Sequence, residues 1–245
     1  MKEVTHMKRV ALYLLASLLL NAHAADIKNI PSFDNTDEVV NQFPVEKALL
    51  NIYNKERIDI LSVIIEGEPT VIETKVIPTG TTIFNNQRVQ SASTSHVIKS
   101  AKPANIEKVA DSKITSIYYF TLKPLKFYGF TNSLKDYAIT TQTANIPKVA
   151  SIGDSSDFAI DNIYTDSSQK TRISTYTKTW ALSRASNSTA WLCIDTSADL
   201  LSDDPNNTTS NCYSMNTQGE LLGNKASYSY STAEGIKTIS YGSER

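Results

Sequence analysis

From Lys113 onward, the chain consists almost entirely of short segments rich in β-branched and aromatic residues, interrupted at close intervals by Gly, Pro, Asn and Asp. The first group of residues favours pleated strands and the second favours turns. Regular short strands joined by turns are typical of antiparallel sandwiches, barrels and meanders. We therefore expect a mainly β protein, an antiparallel sandwich or meander with one N-terminal helix. The predicted strands cover residues 114–122, 125–130, 136–143, 158–165, 171–182, 189–195, 211–216, 227–232 and 236–241.

One helix is predicted upstream of these strands, over residues 44–56. Pro44 suits the first turn of a helix, because its missing N–H would be unpaired there in any case. The apolar residues that follow recur at helical spacings, which places them on one stripe. These residues are Val45, Leu49, Ile52 and Tyr53. A second, weaker helix is predicted at residues 105–110.

The segment between the two helices predicts a β-hairpin followed by a third strand. Together with the first helix, these elements suggest a small α+β unit at residues 25–112, followed by an antiparallel β domain at residues 113–245. A single continuous sheet is the alternative, because the linker signal near residue 100 is mild. The three strands are expected at residues 58–66, 70–77 and 81–89, with Gly67-Glu68-Pro69 in the first turn.

The first 24 residues have the features of a cleavable signal peptide. A basic pair, Lys8-Arg9, precedes an apolar run of 11 residues, and Ala22-His23-Ala24 offers the small residues that a signal peptidase requires. The apolar run is shorter than the roughly 20 residues of a membrane-spanning helix. We therefore expect a soluble mature protein that starts at Ala25, is periplasmic or secreted, and does not insert into the membrane after cleavage.

The charge of the mature chain excludes some classes of partner. Residues 1–24 contain three of the 24 basic and one of the 25 acidic residues, which leaves 21 basic and 24 acidic residues and a formal charge of −3. Neither sign dominates, so the chain has no field that would attract nucleic acid or an anionic membrane surface. We expect no nucleic-acid partner.

The two cysteines, Cys193 and Cys212, both lie in the exported part of the chain, where oxidising conditions favour a disulfide. With two cysteines there is one connectivity. They flank residues 195–211, which are dense in Ser, Asp, Asn and Thr and are typical of a long surface loop between two strands. We therefore expect a structural disulfide that holds the ends of this loop together.

The sequence offers few candidates for catalysis. Gly153-Asp154-Ser155 resembles the nucleophile block of the SGNH hydrolases, but a serine nucleophile needs a general base, and no His follows Ser155. His96, the one His of the mature chain, lies at a predicted loop-to-strand border and is interpreted as structural. One His and two cysteines cannot form a zinc tetrahedron. We therefore expect a turn at residues 153–155, and no catalytic residue, metal site or cofactor.

Aromatic residues cluster within residues 118–137. An exposed row of such rings would stack on a glycan or anchor a protein partner, whereas alternate rings that face inward would fill a core. The candidate binding residues are Tyr118, Tyr119, Tyr128 and Tyr137. Because the usual catalytic sets are missing, the sequence favours an exported binding or surface-interaction protein with a protein or glycan partner. An exported hydrolase that uses paired carboxylates, for example on glycans, is the alternative.

The two tryptophans lead to a prediction of strand register. If residues 184–187 form a hairpin loop, Ser183 lies opposite Ser188 and Trp180 lies directly opposite Trp191. The two indoles would then pair across the strands and stabilise the sheet.

Overall fold

The computed structural model describes residues 39–65, 68–100, 112–200, 207–232 and 235–242. The predicted signal peptide and the weaker helix at residues 105–110 lie outside these ranges. Within them, the chain forms one helix and fourteen strands. In chain order these are β1 (Gln42–Phe43), α1 (Val45–Asn54), β2 (Arg57–Ile65), β3 (Glu68–Phe84), β4 (Gln87–Ser100), β5 (Ser112–Leu122), β6 (Leu125–Asn132), β7 (Tyr137–Gln142), β8 (Ala150–Ser151), β9 (Ser155–Tyr164), β10 (Arg172–Arg184), β11 (Thr189–Leu200), β12 (Asn207–Asn216), β13 (Leu221–Thr232) and β14 (Gly235–Gly242).

In the described part of the chain, twelve of the strands close into one antiparallel barrel. Consecutive strands are neighbours from β2 to β7 and from β9 to β14, and β7 pairs with β9. The barrel closes between β14 and β2, where Gly242 lies opposite Ser62. Mainly β structure with one helix is therefore confirmed, and the expected sandwich is wrong. Closure depends on a pairing between strands that are far apart in the chain, which local residue patterns do not reveal.

Strands from both predicted parts of the chain take places in the same barrel wall. β4 pairs with β5 across the proposed boundary, with Ala92 opposite Tyr118, and β14 pairs with β2. The two remaining strands, β1 and β8, form a separate small sheet in which Phe43 lies opposite Ala150.

The first hairpin is confirmed, because β2 and β3 pair over residues 57–76 in an antiparallel register. The strand predicted at residues 81–89 is wrong, since the chain turns in the middle of it. Asn85 and Asn86 have positive φ angles of 47° and 60°, which is the backbone of a type I′ turn between paired strands. β3 therefore ends at Phe84, and β4 begins at Gln87.

The disulfide between Cys193 and Cys212 is confirmed, but the long loop between the two cysteines is wrong. The two residues lie directly opposite each other in the β11–β12 pair. β11 continues to Leu200 and β12 begins at Asn207, so polar residues predicted to form a loop instead extend the barrel wall. Ser and Thr fit such strands because one face of each strand is partly solvated.

The predicted register of the tryptophans is also wrong. Trp180 lies opposite Ile194, and Trp191 lies opposite Ser183. The N–H groups of Ala185 and Ser186 both donate to the carbonyl oxygen of Thr189, at 3.1 Å, which makes the loop longer than expected. The resulting shift in pairing is an odd number of residues, so the two indoles lie on opposite faces of the sheet.

The apolar core lies at one end of the barrel, around α1. Phe43, Val45, Ala48 and Leu49 have no exposed surface. The helix is held there by a hydrogen bond of 2.8 Å from the Asn51 side chain to the carbonyl oxygen of Gly219. The barrel residues in the same core include Phe120, Leu125, Phe127, Phe158, Trp180, Leu182, Leu192 and Met215. The end of the barrel that holds α1 is therefore filled with apolar side chains.

Candidate functional site: a polar chamber inside the barrel

Beside this apolar core, the barrel contains a partly open cavity of about 140 Å³, which we call the chamber. Alternate residues of a barrel strand face the interior, so each of seven strands contributes one or two side chains, and the last turn of α1 contributes two more. Three of these side chains are apolar and the rest are polar or charged. The lining consists of Ile52, Tyr53, Arg57, Thr74, Val76, Thr94, His96, Tyr118, Lys178, Ile194, Thr196, Asn211 and Tyr213.

Lys178 forms a buried ion pair in the chamber wall. Its ammonium lies 2.5 Å from the carboxylate of Asp161, which has no exposed surface. The Thr140 hydroxyl donates a hydrogen bond of 2.5 Å to the other carboxylate oxygen. Burial by itself would lower the pKa of Lys178, but the Asp161 carboxylate outweighs burial and raises it. Lys178 is therefore a fixed cation at neutral pH.

Arg57 joins the end of α1 to the wall of the barrel. Its Nε donates to the carboxylate of Asp59 at 2.7 Å, and its Nη1 donates to the carbonyl oxygens of Asn51 and Ile52. These carbonyls belong to the last turn of the helix, where a cation also interacts favourably with the helix dipole. The guanidinium lies 5.3 Å from the centre of the Tyr213 ring. Arg57 thus has a counter-charge and several fixed partners.

Tyr53 extends from the last turn of α1 into the chamber. Its ring centre lies 5.3 Å from that of Tyr118 and 5.0 Å from that of Phe127, both in edge-to-face arrangements. Burial raises the pKa of Tyr53, so the hydroxyl stays protonated. Within the described part of the chain, this hydroxyl has no hydrogen-bond partner.

His96 lies in the middle of β4, and not at the loop-to-strand border expected from the sequence. Its Nδ1 is 2.9 Å from the hydroxyl oxygen of Thr74 on the paired strand, so the expected structural hydrogen bond is present. Burial, reinforced by the nearby Arg57 cation, lowers the pKa of His96 to about 4. The imidazole is therefore neutral near pH 7, and its Nε2 faces no protein partner among the described residues.

The groups around the chamber are poor candidates for acid–base or metal chemistry. Among the described residues that line it there is no carboxylate, since Asp59 and Asp161, the partners of Arg57 and Lys178, are not part of the lining. Lys178 is held protonated, and His96 is a weak base, whereas a general base is most effective when its pKa lies near the working pH. No group of three or more His, Cys, Asp or Glu side chains in the described ranges is arranged to hold a metal ion.

The Gly153-Asp154-Ser155 motif forms the expected turn. Gly153 has a φ of 97°, and the N–H of Asp154 donates to the carbonyl oxygen of Ser151 at 3.0 Å. The Asp154 carboxylate accepts a hydrogen bond of 2.8 Å from the backbone N–H of Ser151. The acid thus closes the turn between β8 and β9.

The four tyrosines proposed as a binding set divide between the two faces of the barrel wall. Tyr118 faces inward and lines the chamber. Tyr119 and Tyr137 lie on the outer face, where Phe84 packs on both rings at 4.0 and 5.2 Å between centres. Tyr128 is also on the outer face, with the Lys126 ammonium 5.3 Å from its ring centre. The structure brings Tyr119 and Tyr137 together and separates them from Tyr118.

Sequence reasoning missed most of the chamber residues. A usable signal existed for Lys178, which alternates with Trp180 and Leu182 along β10 and therefore shares their inward face. A lysine on an apolar face of a strand indicates a buried partner or a site. Arg57 offered a similar signal, because its partner Asp59 lies two residues further along the same strand and so on the same face. Tyr213 offered none, because its neighbours in the chamber are distant in the chain.

Comparison of the chain with protein-family models, curated proteins and solved structures finds no match. Among the residues that the structure describes, no helix has the length and the apolar character needed to cross a membrane.

Proposed function

We propose that this protein is an exported, non-enzymatic binding protein that holds a small polar molecule in the chamber. The observation that carries the proposal is the convergence of two unpaired polar groups on one cavity. They are the Tyr53 hydroxyl and Nε2 of His96, neither of which has a hydrogen-bond partner in the described ranges. Polar groups enclosed in a protein are normally hydrogen-bonded, either to water or to a ligand.

The composition of the chamber supports a ligand site. Small-molecule sites combine apolar and aromatic walls with a few polar groups that fix the orientation of the ligand. Here Ile52, Val76 and Ile194 supply apolar walls, and Tyr53 and Tyr118 supply rings. The helix α1, which carries Ile52 and Tyr53 of this lining, is anchored in the apolar end of the barrel by fully buried side chains.

Two further features support the proposal. The Cys193–Cys212 disulfide fits a protein that is exported and folds in an oxidising compartment. The absence of a carboxylate from the described lining of the chamber favours binding over the hydrolase alternative, which needs two carboxylates flanking the bond to be broken.

The test is an NMR screen of the mature protein against pools of small polar molecules, observed through the ring resonances of Tyr53 and His96. We expect at least one pool to shift both resonances saturably. Tyr53→Phe removes only a hydroxyl from the chamber and should weaken this binding. Tyr128→Phe is the matched control, because it removes a hydroxyl from the outer face and should leave binding unchanged. If no pool gives a saturable shift of either resonance, the proposal is wrong.

A further inference from the structure

We propose that the ligand of the chamber is a small, uncharged, hydroxylated molecule, a polyol of about glycerol's size. This inference rests on the proposed binding function and adds the chemical class of the ligand.

The first argument is the balance of charge around the chamber. Lys178 is paired with Asp161 and Arg57 with Asp59, and these four side chains are at most 16 % exposed. His96 adds no charge near neutral pH, because burial lowers its pKa to about 4. An ionic ligand would therefore enter without a counter-charge, and an unpaired buried charge is strongly unfavourable. An uncharged ligand avoids this cost.

The second argument is the direction of the two ion pairs. Lys178 and Arg57 line the chamber, and their carboxylate partners, Asp161 and Asp59, do not. The cationic ends of both pairs therefore favour electron-rich oxygen atoms in the ligand, without a net charge on it. The unpaired Tyr53 hydroxyl can donate and accept a hydrogen bond, and the free Nε2 of the neutral His96 ring can also form one. A hydroxyl group satisfies both needs, because it donates and accepts.

The third argument is size. The chamber measures about 140 Å³, and an engineered apolar cavity of about 150 Å³ in another protein accommodates one benzene molecule. A three-carbon or four-carbon polyol has a comparable volume. Its C–H groups would lie against Ile52, Val76 and Ile194, the apolar part of the lining.

The experiment compares three probes with equal numbers of non-hydrogen atoms: glycerol, which is uncharged, lactate, an anion, and serinol, a cation. Each is titrated into the mature protein at pH 7 while the ring resonances of Tyr53 and His96 are recorded. The resonances of Tyr128 on the outer face report non-specific effects. We expect saturable shifts with glycerol, and at least tenfold weaker binding of lactate and serinol.

Two variants test the site of binding. Tyr53→Phe should weaken glycerol binding about tenfold, the usual effect of losing one hydrogen bond inside a protein. Thr94→Val, which replaces a lining hydroxyl by a methyl group, should act in the same direction, and Tyr128→Phe should have no effect. Unchanged outer tyrosine resonances establish that each variant is folded.

The outcomes separate this inference from the proposed function. If lactate or serinol binds as tightly as glycerol in a Tyr53-dependent manner, the chamber takes ions, and the inference is overturned while the binding function stands. The inference is also overturned if the screen finds an uncharged ligand without hydroxyl groups that binds more tightly than glycerol. If neither glycerol nor any pool shifts the chamber resonances, both proposals are wrong.

Discussion

The Lys178 ammonium and the Asp161 carboxylate lie 2.5 Å apart in the wall of the chamber, and the carboxylate is fully buried. Removing two such charges from water is expensive, and their attraction repays that cost only when the geometry is good and further hydrogen bonds are present. The Thr140 hydroxyl supplies one of these hydrogen bonds. The pair is therefore held in a fixed arrangement, and each charge depends on the other.

Replacing one partner should destabilise the protein strongly. Asp161→Asn leaves the Lys178 ammonium buried without a counter-charge, and we expect the free energy of unfolding to fall by about 3 to 5 kcal/mol. Glu73→Gln is the control, because Glu73 pairs with Lys99 at 2.8 Å on the exposed outer face. Exposed pairs contribute about 1 kcal/mol or less. Urea denaturation at pH 7 measures both, and equal losses for the two variants would contradict the role assigned to Asp161.

His96 should make the protein less stable in mild acid. Its pKa falls from an ordinary value of 6.5 to about 4 in the folded state, because burial disfavours the charged imidazole. Between these values the unfolded chain binds a proton that the folded chain does not. The free energy of unfolding is therefore unaffected by His96 above pH 6.5. It falls as the pH is lowered towards 4, by up to about 3 kcal/mol. An NMR titration of the imidazole should give a midpoint near pH 4.

A variant isolates this contribution from that of the carboxylates. His96→Gln retains a polar side chain beside Thr74 and does not titrate. As the pH is lowered from 7 to 4, the native protein should lose more unfolding free energy than the variant does. The extra loss is the amount that His96 contributes. A difference that stays constant over this range would show that His96 titrates normally.

The disulfide should contribute to stability through the unfolded state. Cys193 and Cys212 are separated by 19 residues and lie opposite each other in the β11–β12 pair. Exchanging both for Ser frees a loop of about 20 residues in the unfolded chain, which costs about 3 kcal/mol in the chain-entropy model. Guanidinium denaturation with and without reductant measures the effect. Thiol titration of the unreduced native protein should find no free thiol, and two reactive thiols would contradict the structure.

Export predicts a specific N-terminus for the mature protein. If the first 24 residues are a signal peptide, cleavage after Ala24 leaves Ala25 at the N-terminus. Intact-mass measurement of the protein recovered from outside the cytoplasm should give the mass of residues 25–245, within one or two residues at the start. Recovery of a chain that still carries residues 10–20 would contradict export by this route.

Local patterns predicted the strands well, because a strand's residue types and its bounding turns are adjacent in sequence. Each of the nine strands expected after Lys113 has a counterpart among β5 to β14. The pairing and register of the strands were harder to predict from local patterns. The Trp180 register depended on the number of residues in one loop, and closure of the barrel depended on Gly242 meeting Ser62. The first is decided by the geometry of one hairpin turn, and the second by pairing between strands that are distant in the chain.

The chamber could not be predicted from local patterns, because most of its residues are distant from one another in the chain. Its lining comes from α1 and seven strands, and no single one of these elements contributes more than two residues to it. Tyr118 was proposed as a binding residue from the density of aromatic side chains, and it does line the chamber. That density does not distinguish the inward Tyr118 from the outward Tyr119, although alternation along β5 does.

Gly129 allows the outer aromatic rings to pack on the barrel wall. It has a φ of 147° and lies in β6, opposite Ile139 of β7. A Cβ atom at this position would lie 1.9 Å from the carbonyl oxygen of Ala138 and 3.1 Å from a ring carbon of Phe84. The first of these atoms is backbone and cannot move without breaking the β6–β7 pairing. A side chain at residue 129 is therefore incompatible with this part of the wall.

Gly129→Ala should destabilise the protein by several kcal/mol or prevent folding, since overpacking and a strained backbone act together. Gly80→Ala is the matched control. Gly80 also has a positive φ, of 84°, but a Cβ atom there would meet nothing within 4 Å. That variant should lose only about 1 to 3 kcal/mol, the cost of the backbone conformation alone. Thermal unfolding of the two purified variants makes the comparison, and a Gly129→Ala protein as stable as Gly80→Ala would show that β6 and β7 separate easily at this point.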